Sequence, residues 1–267
     1  MEVNAPTIRE CCRMGFRVFC LNVRYCRGQD GELRWSRRLP RILQIISEHR
    51  PDLIALQEVL PEQRQDIERE LSEYRWLGLG RGNDFSDEQC PVGVGSKFEL
   101  LSDTNIWLSE TPGVPGSVGW DACLPRLCTV AWLRCDGRSL VFASTHFDHL
   151  GPRARLMSAG LLADLLHEPA TILAGDLNCV PGSPPARLLS ERFGDAGDVA
   201  GKSGESRPFT FHDFGRRKNG LVIDYIWYKP QLTLVDFRVL QENGPDYCSD
   251  HFPLLADFEW SRDTDPT

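Results

Sequence analysis

Four stretches of the chain place an acid, an amide or a histidine where an apolar run stops. The clearest is Thr171-Ile172-Leu173-Ala174-Gly175-Asp176-Leu177-Asn178, which reads as a buried strand breaking open at Asp176. A carboxylate there costs free energy unless its charge is used. With Asn178 two residues on, it has the chemistry of a general base and a hydrogen-bonding companion. Alone, Gly-Asp-x-Asn reads equally well as an Asp capping a turn. It is not alone: Asp52-Leu53-Ile54-Ala55-Leu56-Gln57-Glu58 again runs from apolar residues into an acid, Ser249-Asp250-His251 precedes the apolar Phe252 to Leu255, and Ile223-Asp224-Tyr225-Ile226-Trp227 carries an acid in a strand-like segment. Four acids and a histidine at predicted strand ends are the makings of one convergent site.

Elements that could bring them together follow from periodicity. Phe16 to Val23 reads as a strand carrying Asn22 near its end, and Trp35, Leu39, Ile42, Leu43 and Ile46 form a helical stripe with Pro40 near the first turn. Pro61 opens a polar helix whose buried side is marked by Ile67 and Leu71. Tyr74 to Leu79 is a strand, followed by a Gly- and Asp-rich loop to about residue 91. Lys97 to Leu108 is expected to be a hairpin, and Thr111 to Pro125 a long loop of the functional kind. Leu127 to Leu133 and Ser139 to Thr145 pair through a turn at Asp136-Gly137, delivering His146, Asp148 and His149. A helix from Pro152 shows Leu156, Gly160, Ala163 and Leu166 on one face. A short helix at Ala186 to Leu189, an irregular polar stretch over 194–220 and three closing strands near 221–228, 231–239 and 252–259 complete the chain. Strands and helices mix in two similar series, which predicts an α/β fold of two stacked sheets covered by helices. The expected division is a loose leader over 1–15, one domain over 16–260 without an internal linker, and a tail over 261–267.

Bulk properties narrow the function. A chain of 267 residues, 41% hydrophobic and 25% charged, can bury a large core. Its formal net charge of −8 rules out a broad basic surface, so a polyanion would have to be held by local Arg and Lys and a metal. The ten cysteines include no Cys-x-x-Cys pair, and residues 1–15 have no apolar core of a signal peptide. Reduced thiols in a cytoplasmic enzyme are the expectation. No apolar run approaches the roughly 20 residues of a membrane span, and nothing points to an obligate protein partner.

Together these motifs resemble the endonuclease/exonuclease/phosphatase superfamily, whose members include deoxyribonuclease I, abasic endonucleases, inositol-polyphosphate 5-phosphatases and nocturnin-type deadenylases. The resemblance spans about residues 16 to 260 and rests on Asn22 in Leu-Asn-Val-Arg, Glu58 in Leu-Gln-Glu-Val, Arg126 in Pro-Arg-Leu-Cys-Thr, His146 in Thr-His-Phe-Asp-His, Asp176 and Asn178, Asp224 in Ile-Asp-Tyr-Ile, and Asp250 and His251 in Ser-Asp-His-Phe-Pro. It implies a four-layer α/β/β/α sandwich with the site at the top of the paired sheets. It also implies Mg²⁺ or Mn²⁺ on Glu58, with Asn22 and Asp250 completing the shell directly or through water. Asp176 would deprotonate water beside Asn178. His251, steered by Asp224, would hold positive charge against the phosphate, and His146 would donate to a phosphate oxygen or the leaving group. Arg126 would order the site or touch phosphate; a solvated loop arginine is the alternative. Arg24 stands where abasic endonucleases carry a second acid. Cys179 and Cys248 border the site and read as packing residues.

For the substrate, the segment after Asp176, with Phe209-Thr210-Phe211, is most similar to the nocturnin-type branch and its small relatives. That implies a 3′-5′ exonuclease on single-stranded RNA, with Trp120, Phe147, Phe209 and Phe211 as stacking candidates and Arg216-Arg217-Lys218 as a backbone contact. The alternatives are a phosphomonoesterase for a small sugar or inositol phosphate and a catalytically inactive binding module.

Overall fold

The computed structural model describes residues 15–200 and 207–261. All of the expected tail over 261–267 but Ser261 and all of the expected leader over 1–15 but Gly15 lie outside these, and Gly15 already begins the first strand. The chain runs β1 (Gly15–Asn22), α1 (Trp35–His49), β2 (Leu53–Gln57), α2 (Pro61–Glu70), β3 (Arg75–Leu77), β4 (Val92–Val94) and β5 (Glu99–Trp107). It continues through β6 (Leu127–Cys135), β7 (Arg138–His146), α3 (Pro152–Leu165), β8 (Thr171–Asp176), α4 (Pro184–Ser190) and β9 (Gly194–Asp195). It closes with α5 (Ala196–Ala200), β10 (Asp224–Tyr228), β11 (Leu232–Val239) and β12 (Leu254–Trp260).

Two six-stranded sheets result, ordered β11-β12-β1-β2-β4-β3 and β5-β6-β7-β8-β10-β9. Each has the same centre. β1 and β2 are parallel, crossed over by α1 and flanked by antiparallel β12 and β4; β7 and β8 are parallel, crossed over by α3 and flanked by antiparallel β6 and β10. The two parallel pairs therefore end side by side with equivalent residues at their tips, Asn22 and Gln57 in one sheet, His146 and Asp176 in the other.

Side chains of a strand alternate between faces, and that alternation builds three apolar layers between the four structural ones. Phe16, Val18 and Cys20 of β1, Leu53 and Ala55 of β2, Leu140 and Phe142 of β7, Ile172 and Ala174 of β8 and Ile226 of β10 fill the layer between the sheets. The intervening Phe19, Leu21, Ile54 and Leu56 pack against Ile42, Ile45 and Ile46 of α1 and Ile67 of α2. On the far side Val141, Ala143, Leu173, Tyr225 and Trp227 meet Ala159, Leu162 and Ala163 of α3. Continuing the inward series in steps of two reaches Asn22, Gln57, Ser144 and then His146, Asp176 and Asp224. The inter-sheet layer thus turns polar at one end, where Gln57 Nε2 donates to Ser144 Oγ at 3.1 Å and that hydroxyl donates to Leu56 O at 3.0 Å.

Some expectations are corrected. Residues 99–107 are one strand paired along its length with β6, not a hairpin, because its turn-compatible residues Ser102 to Asn105 sit on an exposed edge strand. The buried side of α3 is Ala154, Ser158, Ala159, Leu162 and Ala163, since small residues let the helix lie close to the sheet, while Leu156 and Gly160 are half-buried. The stretch 194–220, read as irregular, contains β9 and α5.

Candidate active site

The polar end of the inter-sheet layer opens into a cleft of about 890 Å³. Glu58, Arg126, His146, Asp176, Asn178, Asp250 and His251 line it, while Asn22 and Asp224, both buried, lie beneath and are hydrogen-bonded to lining residues. Every residue proposed from the sequence as a site residue is therefore brought to one place.

Strand pairing sets the centre. Asp176 is in register with His146 on one side and with Asp224 on the other. His251 Nδ1 lies 2.8 Å from Asp224 Oδ2, which also accepts from Thr210 Oγ1 at 2.6 Å, and His251 Nε2 lies 3.8 Å from Asp176 Oδ2. Burial works against charge on this imidazole, but Asp224 and Asp176 outweigh it and push the pKa up to about 10. Burial, reinforced by the charge of Asp224, pushes Asp176 up to about 7. A base with a pKa in that range is matched to proton transfer at neutral pH.

Asn178 is held in the left-handed region, φ 47°, by its own N–H donating to Asp176 Oδ1 at 2.9 Å. Its Nδ2 donates to Phe147 O at 3.1 Å and to His146 Nε2 at 3.0 Å, and Phe147 O, which can only accept, fixes which way the amide points. His146 Nε2 is consequently an acceptor and its Nδ1–H faces Glu88 Oε1 at 3.1 Å. Burial and the neighbouring Arg126 lower the pKa of this histidine well below its usual value. The neutral ring thus orients Asn178, where the sequence reading expected it to donate to phosphate.

Glu88 is a site residue the sequence reading missed. It lies in the loop after β3, and backbone bridges from Gln89 to Val59 and Gly80 bring it under His146. It ion-pairs with Arg81 at 3.2 Å and Arg126 at 3.5 Å. Its one sequence signal is its place just before the apolar Cys90 to Val94. Arg126 is buried, not a solvated loop residue: it reaches Glu88, Asp148 at 3.6 Å and His149 Nδ1 at 3.1 Å.

The other half of the cleft carries Glu58, at φ 60°, with Oε2 accepting from Tyr25 N–H at 3.0 Å and Oε1 from Asn22 Nδ2 at 3.0 Å. Asn22 Nδ2 also donates to Asp176 Oδ2 at 3.1 Å, so one amide ties the two sheets together. Burial and the negative charge of nearby Glu58, partly offset by His251 and Arg24, raise the Asp250 pKa. Two carboxylates that repel one another across a cleft, both hard oxygen donors, fit a divalent cation of the Mg²⁺ type. Asn22 would face that cation with its oxygen only after its amide turns over, since Oδ1 now accepts from Arg24 N–H at 3.0 Å. Asp176, Asp224 and His251 also lie close enough to share a cation. There the imidazolium already supplies the positive charge.

Such a fold and site define a phosphoesterase architecture, and the comparisons agree. The Endonuclease/Exonuclease/phosphatase family model matches residues 20–251, so the chain belongs to that family, whose members are metal-dependent phosphoesterases. It is similar to the endonuclease/exonuclease/phosphatase of Bacteroides vulgatus, with 31% identity, a TM-score of 0.86 and coverage of 92% of this chain and 99% of that one. The mannosyl-6-phosphatase Bt3783 of Bacteroides thetaiotaomicron shows 28% identity and a TM-score of 0.81 over 92% of this chain and 100% of that one. The human nocturnin catalytic domain with bound sulfate shares the fold, at 23% identity and a TM-score of 0.74 over 92% and 94%. No curated protein matches. Among the described residues no helix is long and apolar enough to cross a membrane.

Proposed function

We propose that the chain hydrolyses a small, hydroxyl-rich phosphomonoester, of the sugar-phosphate class, with a divalent cation held by Glu58 and Asp250 and by Asn22 once its amide has turned. The observation that carries this choice over a nucleic acid is how few aromatic rings line the cleft, two, each with a guanidinium across it. Phe147 is wholly buried under α3, Phe209 packs on Phe252 at 5.8 Å, and Trp120 is not among the lining residues. The two aromatics that do line the cleft, Phe211 and Tyr25, each have a guanidinium across the ring, Arg217 at 5.3 Å and Arg24 at 4.6 Å. The surrounding Arg27, Asp87, His149 and Asp213 offer donors and acceptors to hydroxyl groups. The similarity to a mannosyl-6-phosphatase supports the same class.

The bound cation would supply Lewis-acid neutralisation of a phosphate oxygen. Asn178 Oδ1, with no partner among the described residues, accepts from the attacking water, and Asp176 takes its proton as the water oxygen bonds to phosphorus. The phosphorus–ester oxygen bond breaks, the leaving oxygen takes a proton from solvent, and charge on the non-bridging oxygens is met by the imidazolium of His251, kept protonated by Asp224. His146 and Glu88 hold Asn178 in place.

A second reading is favoured by Phe211 and Arg217 at the rim, which could seat one base of single-stranded RNA trimmed from its 3′ end. Incubation with Mg²⁺ separates the two. Inorganic phosphate from hexose phosphates, with end-labelled RNA intact, is the expected result. Release of 5′-mononucleotides without turnover of the monoesters would replace this function with the nuclease.

A further inference from the structure

At the rim of the cleft, two loops bring together three side chains that take no part in the proposed hydrolytic step. Cys123, in the long loop before β6, points its Sγ to Asp148 Oδ2 at 3.1 Å, and the ring nitrogens of His149 lie 3.8 and 4.0 Å from the same sulfur. One ligand atom from each of the three lies within 4.8 Å of the others. We propose that Cys123, Asp148 and His149 form a zinc-binding site on the rim of the cleft, distinct from the hard-oxygen site at Glu58.

The separations suit the ion. Tetrahedral zinc with bonds of about 2.3 Å to sulfur and about 2.0–2.1 Å to nitrogen or oxygen sets its ligand atoms roughly 3.5 Å apart. The observed 3.1 and 3.8 Å straddle that distance. Thiolate, imidazole and carboxylate together select a borderline-soft cation over Mg²⁺. Three protein ligands leave a fourth position for water or a substrate oxygen, and His149 itself lines the cleft.

The carboxylate is already built for the role. Asp148 Oδ1 accepts the N–H groups of Leu150 at 2.9 Å and Gly151 at 2.7 Å, leaving Oδ2 turned to the sulfur. The thiol proton now lies between Sγ and Oδ2. A metal would replace it and release it to solvent, which makes the affinity rise with pH.

One existing contact must break. Arg126 Nη2 donates to His149 Nδ1, so the ring's proton sits on Nε2. Coordination through Nδ1 displaces the guanidinium directly. Coordination through Nε2 moves the proton to Nδ1 and ends the same hydrogen bond. Arg126 retains Glu88 and Asp148 as partners.

The test reads the metal and not turnover, so it stands apart from the hydrolytic reading. With the full-length protein in excess Mg²⁺, Co²⁺ is titrated and the thiolate-to-cobalt charge-transfer band recorded, followed by displacement with Zn²⁺. One equivalent of Co²⁺ should give the band, and Zn²⁺ should abolish it. Cys123→Ser should lose the band, and His149→Gln should weaken zinc by more than the roughly 10- to 100-fold that loss of an outer partner costs. Cys123 is the one exposed thiol among the described residues, and Cys26 is half-exposed. The controls Cys26→Ser and Cys11→Ser/Cys12→Ser should therefore keep the band. A band that persists in Cys123→Ser, disappears in either control, or never forms overturns the site, as does a zinc affinity that His149→Gln leaves unchanged.

Discussion

At the scale of single residues, the proposed chemistry depends on which carboxylates are held for charge and which for orientation. Asp176→Asn keeps shape and removes the base, so kcat should fall by about 10² to 10⁴ while the fold and metal affinity persist. Glu88→Ala should lower kcat as well, by about tenfold to a hundredfold, because His146 then loses the acceptor that sets its tautomer and with it the hold on Asn178. Single-turnover hydrolysis alongside calorimetric metal titration measures both. An Asp176→Asn enzyme retaining a tenth of the parental rate would assign the base elsewhere. A second residue-scale effect concerns His212, stacked on Phe252 at 3.9 Å with its Nδ1 accepting from Gly215 N–H at 3.0 Å. Burial first, and the charge of His251 second, depress its pKa from 6.5 to about 4. The unfolded chain therefore takes up this proton before the folded one. Stability is fully present above pH 6.5 and is lost as pH falls towards 4, at about 1.4 kcal/mol per unit at the steepest. Subtracting the pH profile of urea stability for His212→Phe from that of the parent isolates this slope; parallel profiles would mean His212 titrates normally.

At the scale of elements, the strand tips must keep register to within one residue. Gly175 makes that possible between β7 and β8: at φ 154°, a Cβ built on it would lie 1.9 Å from Thr145 O. Gly175→Ala should cost about 3 kcal/mol, the upper end of what overpacking costs, and lower kcat by shifting Asp176 against His146. A urea midpoint equal to the parent's would show that the strands can part there harmlessly. The apolar runs that made these strands visible in sequence stop where the polar residues begin, and the two-residue repeat of a strand carries Asn22, His146, Asp176 and Asp224 to a common face, which is why the residues gathered at the cleft were legible in the sequence. Glu88 was not, because its neighbours are fixed by bridges within the loop after β3 and from it to the loop after β2, and no local pattern encodes them. Arg38 escaped for a related reason. It lies on the helical stripe of α1 among apolar residues, yet its buried guanidinium donates to the carbonyls of Val23, Arg24, Leu33 and Cys248, tying the loop after β1 to the segment before β12. Of the stacking candidates, Phe211 lines the cleft, whereas Phe147, next to His146, lies on the opposite face and is buried in the core.

At the scale of the whole molecule, two sheets each deliver about half of an acidic cluster to one edge of their shared layer. The first supplies Glu58 and, from the segment before β12, Asp250. The second supplies Asp176 and Asp224, and His251 and Arg24 together offset only part of the charge. In a chain of net charge −8 this edge repels itself in the folded state more than in the extended one. A divalent cation that binds the assembled edge and not the unfolded chain should therefore stabilise the fold. At about 100 times its Kd the gain is about 2.7 kcal/mol, which for a domain of this size raises Tm by roughly 5–10 °C. General screening by salt would also help an acidic protein, so the comparison is Mg²⁺ against NaCl at equal ionic strength, with EDTA-treated protein as the baseline. The parent should show the rise in Mg²⁺ alone. Glu58→Gln, lacking the carboxylate assigned purely to coordination, should show little of it, whereas Asp176→Asn should respond like the parent. If Mg²⁺ and NaCl act alike on the parent, the cation does not bind at this edge; if Asp176→Asn loses the response and Glu58→Gln keeps it, the metal sits with Asp176, Asp224 and His251 instead.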